Sequence, residues 1–251
     1  MKRAAKSQAG GTLRVATYNI HKCVGMDRRR RPERVAAVLQ ELEADIVCLQ
    51  EVVNAPEGPP RFNQAEELAA AMPDFGWSFG VTRPLRGGTY GNMTLARFAT
   101  VRWQTYDVSH AQREPRGVLH TDFDLGEGRL LHVFNVHLGT SMRERRHQVR
   151  RLLSEHVVGQ HGLAGPRIVI GDFNDWTAGL TTQLLRSTFE SFRPRHAMRI
   201  PGTYPGLMPL VTLDHCYYEA PLKLVKTRLW RSRRALVASD HLPLVAEFQW
   251  E

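Results

Sequence analysis

The chain has 251 residues, 42% of them hydrophobic, which is enough for a sizeable core. Its 34 Lys and Arg against 25 Asp and Glu leave a formal charge of +9, favouring phosphate-bearing partners without identifying one. Cys23, Cys48 and Cys216 are odd in number and far apart, which argues against a disulfide framework, and no run of 18 apolar residues offers a membrane span.

Residues 1–11 read as a disordered basic tail and 12–251 as a single domain without internal repeats, expected in the cytoplasm. Leu13 to Tyr18 reads as a strand, and Pro32 to Leu42 as a helix with Val35, Val38, Leu39 and Leu42 on one stripe. The buried strand Asp45 to Leu49 follows, so the fold should begin with a parallel crossover. Strand-like runs around Gly91–Arg97, Val101–Val108, Val118–Leu125 and Arg129–Leu138, parted by turn-rich pieces, look like hairpins. From Met142 to about Gln160 the period is helical. A strand over Arg167–Ile170, a helix near Leu180–Ser187 and strands near Leu213–Tyr218 and Leu244–Trp250 complete a mixed α/β chain with two sheets.

Several of these strands end in polar side chains. Ile168-Val169-Ile170 empties into Gly171-Asp172-Phe173-Asn174-Asp175, where alternation puts Asp172 and Asn174 on one face and Phe173 on the other. Asn19, Gln50-Glu51, Asn135-Val136-His137 and Asp214-His215 end other apolar runs, and Ser239-Asp240-His241 precedes the final strand. One such knot is most often a strand cap, but so many buried carboxylates without partners would cost several kcal/mol each. A shared metal and phosphate site satisfies them together. Oxygen and imidazole dominate the set, which suits Mg²⁺, with Mn²⁺ as the alternative, and the cysteines lack zinc-site spacing. There is no Gly-rich nucleotide loop and no Gly-x-Ser-x-Gly elbow.

Six motifs in order, Thr17-Tyr18-Asn19, Leu49-Gln50-Glu51, Asn135-Val136-His137-Leu138, Gly171-Asp172-Phe173-Asn174, Leu213-Asp214-His215 and Ser239-Asp240-His241-Leu242-Pro243, resemble those of the endonuclease/exonuclease/phosphatase superfamily over nearly the whole chain. The resemblance implies a four-layer α/β/β/α sandwich of two packed mixed sheets, as in DNase I, and Mg²⁺-dependent phosphoester hydrolysis. It makes Glu51 the principal metal ligand, helped directly or at one remove by Asn19 and Asp240. Asp172 and His241 compete for activation of water, Asn174 and His137 grip phosphoryl oxygens, and Asp214 holds His241. Asn92, Arg116 and Trp176 are further candidates for substrate contact, while His21 and His215 fit packing better than ligation.

The fifth motif lacks the Trp-Arg-x-Asp-Tyr pattern of abasic endonucleases and the Cys-Asp-Arg signature of inositol 5-phosphatases; it reads Val211-Thr212-Leu213-Asp214-His215. The leading expectation is a phosphodiesterase acting on a lipid headgroup or small molecule. A DNA- or RNA-cleaving nuclease is the second reading, and a noncatalytic phosphate-binding module the third. The basic tracts Arg28–Arg31, Arg143–Arg151 and Lys223–Arg234 suit peripheral contact with anionic surfaces under any of them.

Overall fold

The computed structural model describes residues 12–250 apart from 59–61, 86, 161, 177–178, 193–201, 207 and 209. The basic tail expected over residues 1–11 lies outside them. The first sheet contains β1 (Leu13–Asn19), β2 (Ile46–Asn54), β3 (Gly76–Leu85), β4 (Gly88–Ala96), β11 (Leu222–Leu229) and β12 (Leu244–Trp250), in the order β11-β12-β1-β2-β4-β3. The second is one continuous stretch of chain, with β5 (Ala99–Asp107), β6 (Gly117–Asp124), β7 (Leu130–His137), β8 (Arg167–Asp172), β9 (Glu190–Ser191) and β10 (Asp214–Tyr218) in the order β5-β6-β7-β8-β10-β9. Each sheet holds one parallel pair, β1 with β2 and β7 with β8, among antiparallel neighbours.

Period-2 alternation sorts most of the buried apolar side chains into three large cores, with a small fourth cluster of Val53, Ala55 and Tyr90. Val15, Ile46 and Cys48 meet Phe123, Leu131, Ile168 and Cys216 between the sheets. On the outer face of the first sheet, Ala16, Val47 and Leu49 pack under α1 (Pro32–Glu41), α2 (Gln64–Ala70) and α5 (Ala235–Ala238) through Val35, Leu39, Leu68 and Ala235. On the outer face of the second, Phe134, Val136 and Val169 pack under α3 (Met142–Leu152) and α4 (Leu180–Thr188) through Val149, Leu152 and Leu185. The layers are thus α/β/β/α, and each fully buried Leu or Phe contributes about 1.5–3 kcal/mol. All three cysteines are buried and unpaired.

Two features tie the layers together where the site forms. Asn135 on β7 donates to the carbonyls of Leu49 (3.0 Å) and Met93 (2.9 Å) and accepts from Gln50 Nε2 (2.8 Å), a buried amide bolt between the sheets. Gly171 lies so close to β7 that a Cβ there would sit 1.9 Å from the Val136 carbonyl oxygen, and its φ of +150° is one that side chains avoid.

The helix expected to run to Gln160 stops at Leu152. Ser154 Oγ donates to the Arg151 carbonyl (2.7 Å) and the Val158 amide folds back to Leu152 (3.0 Å), so Val157 and Val158 reach the core through a turn. Their spacing records burial, which both conformations satisfy. β3, α2, β9, β11 and α5 were not expected. β11 follows the pattern Leu222-Lys223-Leu224-Val225-Lys226-Thr227-Arg228-Leu229 at a sheet edge, where half its residues face solvent and lysines blunt the open edge.

Candidate active site

Topology explains why the polar knots meet. The parallel pairs send the C-terminal ends of β1, β2, β7 and β8 to one edge, and β10 and β12, running antiparallel, start there. Asn19, His137 and Asp172 therefore end their strands where Asp214 begins its own, directly opposite Asp172 in the ladder, while Glu51 lies inside β2, three residues before its end. Glu51 needs one more device. The β2–β4 pairing slips between Leu49 and Val52, and Glu51 adopts a φ of +60°, so a bulge turns the carboxylate toward the site while Gln50 stays between the sheets.

Asn19 Nδ2 bridges Asp172 Oδ2 (3.0 Å) and Glu51 Oε1 (3.4 Å), while its Oδ1 accepts from the His21 amide (3.0 Å). Direct ligation of a cation by Asn19 would need that oxygen turned around. Lys22 Nζ donates to Glu51 Oε2 at 2.5 Å, a partner the sequence reading missed. Burial works against the Glu51 charge, but His137, Lys22 and His21 outweigh it and hold the carboxyl at about 2. His137 itself is buried beside Arg116 and pushed well below the usual imidazole range, so at neutral pH Lys22 is the cation that matters.

Asp172 is surrounded. Its Oδ1 accepts from the Asn174 amide (2.9 Å), and its Oδ2 faces His137 Nε2 (3.7 Å) and His241 Nε2 (3.8 Å). Burial pushes this carboxyl up; the His241 charge opposes it and Asp214 adds to it, which leaves it at about 6. His241 Nδ1 bonds Asp214 Oδ2 at 2.9 Å. Burial disfavours its charge, yet Asp214, Asp172 and Asp240 prevail and push it up to about 10. The other oxygen of Asp214, Oδ1, is buried without a hydrogen bond.

Arg116 is 7% exposed, although loop arginines are usually solvated, and its Nη1 lies 3.4 Å from His137 Nδ1. A guanidinium can only donate, so His137 Nδ1 carries the lone pair and Nε2 the hydrogen. The remaining candidates divide. Asn92 spends both amide hydrogens on the carbonyls of Gly117 (3.2 Å) and Asn135 (3.1 Å), so it braces β4 against the second sheet and has no donor left for substrate. Asn174 Nδ2 donates to the Leu138 carbonyl (2.9 Å). Asp175 turns away to Thr182 Oγ1 (2.7 Å) and Arg145 (3.7 Å). Asp240 Oδ1 stands 3.6 Å from His21 Nδ1, and His215 packs edge-on to Phe173. Trp176 is 46% exposed and stacks edge-on against Tyr204, whose ring lies 5.1 Å from His241, forming an aromatic wall in which Tyr204 carried no motif to announce it.

The sequence pattern of the Endonuclease/Exonuclease/phosphatase family matches residues 16–241, the span from β1 to His241. The chain belongs to that family. It is 35% identical over 254 residues to YbhP of Escherichia coli strain K12, covering 94% of this chain and 96% of the relative. Its fold is shared by solved structures, among them the following two. A Bacteroides thetaiotaomicron mannosyl-6-phosphatase superposes with a TM-score of 0.76 at 18% identity, covering 94% of this chain and 99% of that one. The human Nocturnin catalytic domain, solved with bound sulfate, gives 0.73 at 21% identity, covering 96% and 94%. As a member of the endonuclease/exonuclease/phosphatase family, the protein is a metal-dependent phosphoester hydrolase. Among the described residues no helix is long and apolar enough to cross a membrane.

Proposed function

We propose that the protein is a Mg²⁺-dependent phosphodiesterase of small diesters, with lipid headgroups as its principal substrate class. The observation that carries the reading is the position of Asp172 between Asn19, His137 and His241, on the same strand edge as Glu51. The donors suit a hard cation. Glu51 is ionised and already attracts an ammonium at 2.5 Å, and Asp240 supplies a second carboxylate at this end of the fold. Glu51 and Asp240 would hold the ion, with Asn19 fixing Glu51, and a bound divalent cation supplies charge stabilisation at the phosphoryl oxygens.

The chain's own groups take the remaining roles. Asp172, ionised above about pH 6, accepts the proton of the attacking water. His241 stays protonated up to about 10, which removes it as a base and makes it a cationic clamp on the phosphoryl group, oriented by Asp214. His137 presents Nε2–H to a phosphoryl oxygen because Arg116 holds its other nitrogen. Two exposed stretches lean together beside this site. The Met26 amide donates to the Val237 carbonyl at 3.0 Å, joining Arg28–Arg31 to Arg231, Arg233 and Arg234 just before the Ser239–His241 loop. Met26 and Val237 are 38% and 36% exposed, so apolar tips stand within an arginine rim, which suits an anionic lipid surface better than a duplex groove.

The test is hydrolysis of bis-p-nitrophenyl phosphate, phospholipid vesicles, a sugar phosphate, and nicked or single-stranded DNA, each with Mg²⁺, Mn²⁺ or EDTA. The expected result is metal-dependent turnover, fastest on lipid or small diesters and lost in Glu51→Ala and Asp172→Asn. Preference for DNA would turn the reading to a nuclease, and preference for the sugar phosphate to a monoesterase. Turnover unchanged in both variants would remove the mechanism.

A further inference from the structure

A second cluster of metal-binding side chains lies on the other side of the second sheet from its packing against the first. β6 carries His120 and Asp122 two residues apart, and His132 of β7 pairs with Asp122 across the ladder, so alternation puts all three on the outer face. All are buried, at 2%, 4% and 3% exposure, and their ligand atoms lie within 4.8 Å of one another. None of the three belongs to the hydrolytic constellation.

Hydrogen bonding accounts for only part of the arrangement: His132 Nδ1 makes a hydrogen bond with Asp122 Oδ1, whereas His120 Nε2 makes none. His120 Nε2 and His132 Nδ1 both stand 2.5 Å from the same oxygen, Asp122 Oδ1. The His132 ring is fixed from behind, because its Nε2 lies 3.3 Å from the Ala164 carbonyl and donates to it. With Nε2 donating there, Nδ1 donates to the carboxylate when the ring carries both protons and offers it a lone pair when the ring is neutral. His120 Nε2 is buried, points at the same oxygen and has no hydrogen bond, and its ring is pinned by stacking on Phe134 at 4.1 Å. A carboxylate oxygen held between two imidazole nitrogens in a buried space calls for positive charge among the three, from ring protons or from a bound cation. Arg102 does not fill that role, since its Nε engages the other oxygen, Oδ2, from a side chain 59% exposed.

We propose that His120, Asp122 and His132 form a second metal site, selective for a first-row transition ion of the Zn²⁺ type rather than for Mg²⁺. Two imidazoles and one carboxylate are the donors such ions prefer, whereas Mg²⁺ wants an oxygen shell. The Ala164 carbonyl and Arg102 play the part of outer partners that orient the His132 ring and leave Oδ1 free. Zn²⁺ contacts of about 2.0–2.2 Å would spread the three ligands beyond their present spacing, so the rings move slightly apart on loading. The site joins β6, β7 and, through Ala164, the segment that leads into β8, which makes it a structural clamp on the strand that carries Asp172.

The experiment uses the Glu51→Gln protein, to weaken binding at the hydrolytic site, stripped with chelator and then titrated with Zn²⁺ and with Co²⁺ as a visible probe. One equivalent should bind, Co²⁺ should give d–d absorption, and Zn²⁺ should raise the melting temperature. His132→Gln and His120→Gln on the same background should bind at least about tenfold more weakly and lose the thermal shift, a loss no smaller than that of an outer partner alone. Absence of stoichiometric uptake in the Glu51→Gln protein overturns the site however the histidine variants fold. Equal uptake with and without the histidines overturns it as well, and leaves a His–Asp–His pair bridged by protons.

Discussion

At the scale of single residues, the site rests on one carboxylate kept against its own preference. Asp172 in the folded chain titrates near 6 against an ordinary 3.8, so folding favours its protonated form. The sign follows directly: the cost is absent well below pH 4, grows as pH rises from about 4 to 6, and is complete above 6. Asp172→Asn should abolish turnover, a loss of about 10²–10⁴-fold, while stabilising the metal-free protein at pH 7 by up to about 3 kcal/mol. Urea unfolding in EDTA at pH 7 and pH 4 checks it, because the gain should vanish at the lower pH. The same two groups bound the rate profile. Activity should rise as Asp172 ionises and fall as His241 loses its proton, with limbs no higher than about 6 and 10, since a nearby cation can only lower both. A rate that has not begun to fall by about pH 10 would show that His241 is not the protonated partner.

At the scale of elements, the strand ends are held in place from behind. Asn135→Leu removes the bolt across the sheets and takes its amide from the Leu49 and Met93 carbonyls, while Gln50 keeps Thr17 and the Cys48 carbonyl, at an expected cost of about 1–3 kcal/mol in denaturant titration. Gly171→Ala should be worse, because its Cβ meets backbone that cannot move without parting β7 from β8. These contacts show what a sequence can and cannot disclose. Apolar alternation exposed β1, β5 to β8 and β12, and the polar residues at their ends betrayed the site, because burying a carboxylate demands a reason. β3 and β11, at the open edges of the first sheet, escaped notice, whereas the edge strand β5 did not. Lys22, Arg116 as a buried group, and Tyr204 escaped because their places depend on loops that bring distant segments together. Asn92 sits beside the site as expected, but no pattern could tell that backbone carbonyls would claim its hydrogens.

At the scale of the whole molecule, two of the three basic tracts are brought together near the site. Arg28–Arg31 and Arg231–Arg234 come from opposite parts of the chain and meet beside the Ser239–His241 loop. Arg231→Glu together with Arg233→Glu should weaken binding to anionic vesicles by at least about tenfold, roughly the 1 kcal/mol that each basic residue contributes near such a surface, and leave turnover of bis-p-nitrophenyl phosphate within about twofold. Vesicle co-sedimentation at two salt concentrations measures the first part and steady-state kinetics the second.

The pairing of β1 with β12, Leu13 opposite Phe248, joins segments separated by more than two hundred residues in the middle of the first sheet. During synthesis this has a consequence in time. The second sheet, made of consecutive chain, can close as soon as β10 emerges, but β1 waits for residues 244–250 before its other edge is covered. Glu51 meets Asn19 and Lys22 within the first part of the chain, whereas Asp240 and His241 join them only after residue 241 has been made. The site is thus completed late in synthesis, by the same stretch of chain that closes the first sheet.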